Sequence, residues 1–113
     1  TGRIRGLYLD GNEAARPLAA AWLAPLADLG VTTVSPRSLL GSDHQAFESV
    51  GLPAFPFIHD DIEYAERTHH TTDDVFERLL AEDLTQASVV AASVLWQAAQ
   101  AAERPPRPVV PTR

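Results

Sequence analysis

From His69 to Asp74 the chain sets two histidines, two threonines and two aspartates in consecutive positions. A neutral imidazole is a good ligand for zinc and similar cations, and a nearby carboxylate can fix its tautomer. His70 and Asp74, four positions apart, are the suggestive pair. Adjacent side chains rarely point the same way, so only one of His69 and His70 is expected to ligate. A zinc site takes three or four ligands, and the spacing here supplies one good one. The run Gly41-Ser42-Asp43-His44 has the same chemical flavour. Ser42 also suits a helix cap and Asp43 a helix dipole, which leaves His44 unexplained. A Ser/His/Asp hydrolase is set aside, because three consecutive residues cannot form that relay and no nucleophile-elbow pattern is present. The two segments are expected to meet in one pocket, incomplete in this chain.

Weaker candidates have plain readings. Asp60, Asp61 and Glu63 read as a solvated acidic loop, and His59 as a structural or surface residue. Trp22 and Trp96 lie on apolar faces and read as core. Gly2, Gly6 and Gly11 lack the spacing of a phosphate-binding loop.

The elements that must position these residues follow from periodicity and punctuation. Ile4 to Leu9 reads as a strand, closed by the turn Asp10-Gly11-Asn12, with Asn12 as a cap. Leu18, Trp22, Leu26 and Leu29 recur at helical spacing, with Ala19 and Leu23 beside them. Pro17 suits a first turn, Pro25 predicts a kink or early end, and Gly30 a stop. Val31 to Val34 is β-branched and reads as a second strand. Asp43 to Val50 predicts a short helix closed by Gly51, and Leu52 to Ile58 a strand whose prolines favour an edge or a strand entry. Asp60 to Thr72 is a long polar loop, a length usually kept for function. A short helix is predicted over 74–80, and Glu82 or Asp83 opens the longest helix. Its buried stripe is expected to be Leu84, Ala87, Ala91, Val94, Leu95 and Ala98. Residues 1–104 form one unit, and 105–113 a proline-rich tail, extended or disordered. Alternating strands and helices predict α/β layers on a largely parallel or mixed sheet, with ligands at the carboxyl ends of the strands.

The totals exclude several classes. A chain of 113 residues suits one modest core. The net charge of −6, from 15 acidic against 9 basic side chains, argues against a nucleic-acid surface. Cysteine is absent, which removes disulfides and thiolate metal sites. No apolar run approaches the roughly 20 residues that span a bilayer. Methionine is missing throughout, and a piece of a longer polypeptide is expected.

The runs Gly41-Ser42-Asp43-His44-Gln45-Ala46-Phe47, Gly51-Leu52-Pro53-Ala54 and Arg67-Thr68-His69-His70-Thr71, with Asp74 and Leu79, resemble the C-terminal part of the di-zinc aminopeptidase family. The similarity is greatest to the branch that contains plasma glutamate carboxypeptidase. It runs back through Ile4-Arg5-Gly6 and Gly11-Asn12-Glu13 to Trp22-Leu23, and covers most of the chain from Thr1 to about Ala101.

The resemblance implies a three-layer α/β/α sandwich holding two zinc ions, and hydrolysis of a terminal peptide bond of a peptide or dipeptide by metal-activated water. It implies that His70 is the last metal ligand. His69, a position often held by Tyr, would act on the scissile carbonyl or its oxyanion, with Asp43 as a second catalytic group. His44 and Ser42 would line the substrate pocket, and Thr71 and Asp74 would cap or orient the ligand. The family's earlier His, bridging Asp and Glu-Glu pair have no counterpart here and belong upstream of Thr1. The chain alone is therefore expected to be inactive, to bind zinc weakly and to self-associate through an exposed sheet edge. For the parent, a secreted or periplasmic location is implied by the resemblance. The alternatives are a non-catalytic scaffold with the peptidase fold and a zinc acyltransferase of the glutaminyl cyclase type.

Overall fold

The computed structural model describes residues 2–108. β1 (Ile4–Tyr8) is the centre of a three-stranded sheet, flanked by β2 (Thr33–Ser35) and β3 (Phe57–His59) in the order β2-β1-β3. β1 and β2 run parallel with Gly6 opposite Thr33, and β1 and β3 run antiparallel with Leu7 opposite Phe57. The fold is therefore α/β with a mixed sheet.

Gly6 is where the sheet closes most tightly. A Cβ there would stand 1.8 Å from the Thr33 carbonyl oxygen, so only glycine lets β2 approach. On the other side the register slips between Ile4 and Gly6, a bulge that gives β1 one extra residue. At that bulge the side-chain amide of Gln86 meets the main chain of Ile4. Its Oε1 accepts from the Ile4 N–H at 2.9 Å and its Nε2 donates to the Ile4 carbonyl at 2.8 Å.

α1 (Arg16–Leu23) carries the crossover from β1 to β2, with Pro17 in its first turn. At Pro25 the chain tightens into a 3₁₀ segment, Ala24–Leu29, because proline has no N–H for the α-helical ladder. Gly30 then stops it in the left-handed conformation, φ 77°. α2 (His44–Glu48) is one short helix before Gly51, itself at φ 76°. α3 (Ala81–Gln100) is the longest element and packs against α1 and β1. The core between them is Ile4, Leu7, Leu9, Ala15, Ala19, Trp22, Leu23, Leu26, Val31, Val90 and Val94. Phe55 meets Trp22 edge-on, with ring centroids 6.1 Å apart.

Several expectations are corrected. α3 buries Asp83, Gln86, Val90 and Val94, whereas Leu84, Leu95 and Trp96 are exposed, Trp96 at 68%. The helix is turned so that polar groups can reach β1 and α1. Asp83 accepts from Arg3 Nε at 3.2 Å, and Gln97 donates to the Trp22 carbonyl at 2.8 Å. The predicted 74–80 helix is only a 3₁₀ turn, Phe76–Arg78, lying between extended residues. β3 starts only at Phe57, since Pro53 and Pro56 offer no N–H to a ladder. Asn12 makes no side-chain cap bond. It donates to the Pro106 carbonyl at 2.8 Å and so ties part of the tail to the body. Pro105 and Pro106 are half-buried, and the rest of the tail, 109–113, lies outside the described residues.

Candidate functional site

Asp10 lies two residues past β1, at its carboxyl end, with φ 47°. Its Oδ1 accepts the Leu39 N–H at 3.2 Å, which holds the loop after β2 against the end of β1. The loop then enters α2, where the Gly41 N–H donates to Gln45 Oε1 at 2.9 Å. His44 opens α2, and its Nε2 lies 3.1 Å from Asp10 Oδ2. Glu48 lies one helical turn on, on the same face as His44. One donor atom from each of Asp10, His44 and Glu48 lies within 4.8 Å of the others, and this is the one such trio among the described residues.

Two members of the trio have sheltered side chains, and Glu48 is half-buried. The side chains of Asp10 and His44 are 4% and 9% exposed. Asp10 Oδ2 and both ring nitrogens of His44 are buried without a hydrogen-bond partner. The 3.1 Å approach therefore lacks the alignment of an N–H···O bond. Burial raises the Glu48 carboxyl above its ordinary range, the Asp10 charge adds to this, and His44 opposes it.

His44 is thus brought to two carboxylates that the sequence reading did not select. Glu48 was within reach of that reading, since a His and a Glu four positions apart in a predicted helix share a face. Asp10 was not, because it read as a turn residue and meets His44 only through the fold. Ser42 and Asp43 are exposed, and Asp43 at the N-cap makes no side-chain cap bond.

The second segment follows β3, and none of its donors joins the Asp10 trio. Tyr64–Thr68 forms a π-turn, entered through Glu63 at φ 61°. His69 and His70 are exposed, and the rings of Tyr64, His69 and His70 stack in series, with centroids 4.8 and 3.9 Å apart. His70 has φ 57°, an uncommon conformation for a residue with a Cβ. The Thr71 hydroxyl donates to the carbonyls of Arg67, at 2.7 Å, and Thr68, at 3.1 Å, and so pins the turn beside His70. Asp74 lines a cleft of about 230 Å³ with Tyr64, Thr68 and Arg78. No described donor forms a ligand trio with His70.

The acidic stretch is partly engaged. Arg5 grips Asp60 with two bonds, Nε to Oδ1 at 2.8 Å and Nη2 to Oδ2 at 2.6 Å. This holds the Asp60 carboxyl below its ordinary range. Glu63 pairs with Arg67 and Arg78, and His59 Nδ1 lies 3.0 Å from the Gly2 carbonyl oxygen. Among the described residues no helix is long and apolar enough to cross a membrane.

Comparison with known proteins places no relative beside the chain: no family model, no curated protein and no solved structure matches it.

Proposed function

We propose that this chain is the C-terminal α/β part of a zinc-dependent exopeptidase with a three-layer sandwich, acting on terminal peptide bonds. The observation that carries the reading is His70, an exposed imidazole on a left-handed backbone, stacked on His69 and pinned by Thr71. Strained, exposed, chemically capable residues concentrate at functional sites. An imidazole presented in this way suits a ligand for a cation shared with other sequence.

The residues described here do not make a two-zinc cage by themselves, since no trio of donors includes His70. In this reading the chain's own part is to present His70, to stack His69 beside it and to set Asp74 in the adjoining cleft. Zinc would supply the polarisation of water and carbonyl.

A scaffold role is the second reading, favoured by the exposed apolar side chains Leu95, Trp96 and Phe76. The test is hydrolysis of blocked and unblocked dipeptides by the extended protein that this reading implies, one that carries the remaining zinc ligands ahead of this segment. The exopeptidase reading expects zinc-dependent release of a terminal residue, lost in His70→Ala, and no hydrolysis by the 113-residue chain alone. Hydrolysis that survives His70→Ala, or none by the extended protein, sinks it.

A further inference from the structure

We propose that Asp10, His44 and Glu48 bind one divalent transition-metal cation of the zinc, manganese or cobalt kind. The site shares His44 with the exopeptidase reading, which gives that residue a place in the substrate pocket, but it excludes His70, the metal ligand of that reading, so the two are tested separately.

Three observations carry it. The first is the donor set, one imidazole and two carboxylates within 4.8 Å of one another. A mixed nitrogen and oxygen set suits borderline divalent cations better than calcium, which takes oxygen ligands throughout. The second is spacing. Ligands at about 2.0–2.2 Å from a metal stand about 3–3.5 Å from each other, and Asp10 Oδ2 lies 3.1 Å from His44 Nε2.

The third is the unmet bonding of the buried atoms. Asp10 Oδ2 and His44 Nε2 approach closely, both in side chains more than nine-tenths buried, yet make no hydrogen bond to each other or to anything else. A buried imidazole and carboxylate that served only each other would align N–H with oxygen. Here their lone pairs are available to a third body. Meanwhile the Leu39 N–H holds the other Asp10 oxygen, so the carboxylate is oriented before any ligand arrives. Glu48 is only half-buried, so it is free to close the third side.

Cobalt(II) is the probe, because its visible absorption reports imidazole and carboxylate coordination directly. Titrated into the whole chain it is expected to bind one equivalent, give a d–d band and raise the melting temperature. Zinc is expected to compete it off. His44→Ala removes a ligand and is expected to weaken binding by about 100-fold or more. His70→Ala is expected to leave both the band and the affinity unchanged. Should His44→Ala fail to fold, Glu48→Gln decides, keeping the volume and removing one charged donor, with an expected loss of about 10-fold or more. No one-equivalent binding by the unaltered chain, binding untouched by His44→Ala or Glu48→Gln, or binding lost in His70→Ala each overturns the proposal.

Discussion

The side-chain amide of Gln86 hydrogen-bonds both the N–H and the carbonyl of Ile4, from 82 positions away in the chain. Both residues are buried, at 7% and 2% exposure. The longest helix is therefore fastened to the central strand by a polar clasp at the strand's bulge. Gln86→Leu keeps the bulk and removes both bonds. A buried polar group left unpaired costs about 1–3 kcal/mol, so a loss of about 2 kcal/mol or more is expected in urea unfolding. A change below about 0.5 kcal/mol, the size of an ordinary surface substitution, would show the clasp to be dispensable.

Arg5 and Asp60 make the fold sensitive to acid. The folded state holds the Asp60 carboxyl below its unfolded value, so unfolding takes up a proton on mild acidification. The stabilisation is fully present above the unfolded value and is lost as pH falls through the folded one. Both side chains are about 40% exposed, so salt will screen the pair. Asp60→Asn is expected to flatten the acid limb of a melting-temperature profile and to leave a smaller salt dependence. An acid limb of the same slope in the variant would assign the effect elsewhere.

Gly6→Ala is expected to be among the most damaging single substitutions. Its Cβ would meet the Thr33 carbonyl oxygen at 1.8 Å, a main-chain atom that moves only if β2 leaves the sheet. A loss of about 3 kcal/mol or more is expected, at or above the usual range for overpacking. Gly11→Ala is the control. That site has φ 77° but no atom within 4 Å of an added Cβ, so it carries conformational strain without a clash. Equal losses at the two positions would argue against close strand approach as the cause.

His70→Gly is expected to hold or raise stability, by up to about 1 kcal/mol, because glycine accepts a left-handed backbone that other residues resist. His70 has φ 57°. A variant that is more stable, with any function lost, would mark the residue as kept for its chemistry. A clear loss of stability would instead assign the ring stack with His69 a structural role.

Trp96→Arg is expected to cost less than about 0.5 kcal/mol, as an exposed position should. Trp96 and Leu95 are both 68% exposed on α3. Self-association of the chain, followed by sedimentation at rising concentration, is expected to weaken in the variant. An unaltered chain that stays monomeric throughout would remove the basis for the expectation.

Much of the fold was legible because its signals are local. Pro17, Pro25 and Gly30 act on their own turns, and each did so in the helical segment between β1 and β2. β1, α2 and α3 were likewise readable from short patterns. What failed was part of the inward face of α3: Val94 is buried and Ala87 and Ala98 pack against the core as expected, but Leu84 and Leu95 are exposed, and Asp83, Gln86 and Val90 are turned inward instead. A glutamine reads as a solvent-facing residue until a strand bulge elsewhere offers it two main-chain groups. The same limit applies to the candidate sites. His44 stood out by type, but neither Asp10 nor Glu48 was paired with it in the sequence reading, although both surround it in the fold.

By itself the sequence determined the order of elements, their stopping points, the acidic balance and the absence of thiolate chemistry, because each depends on residue type and near neighbours. Only the tertiary structure decided that β3 runs antiparallel to β1, that α3 turns Gln86 inward, and that Asp10 shares a buried space with His44 and Glu48. Those outcomes depend on which distant groups remain unsatisfied once the core has closed, and that is a property of packing.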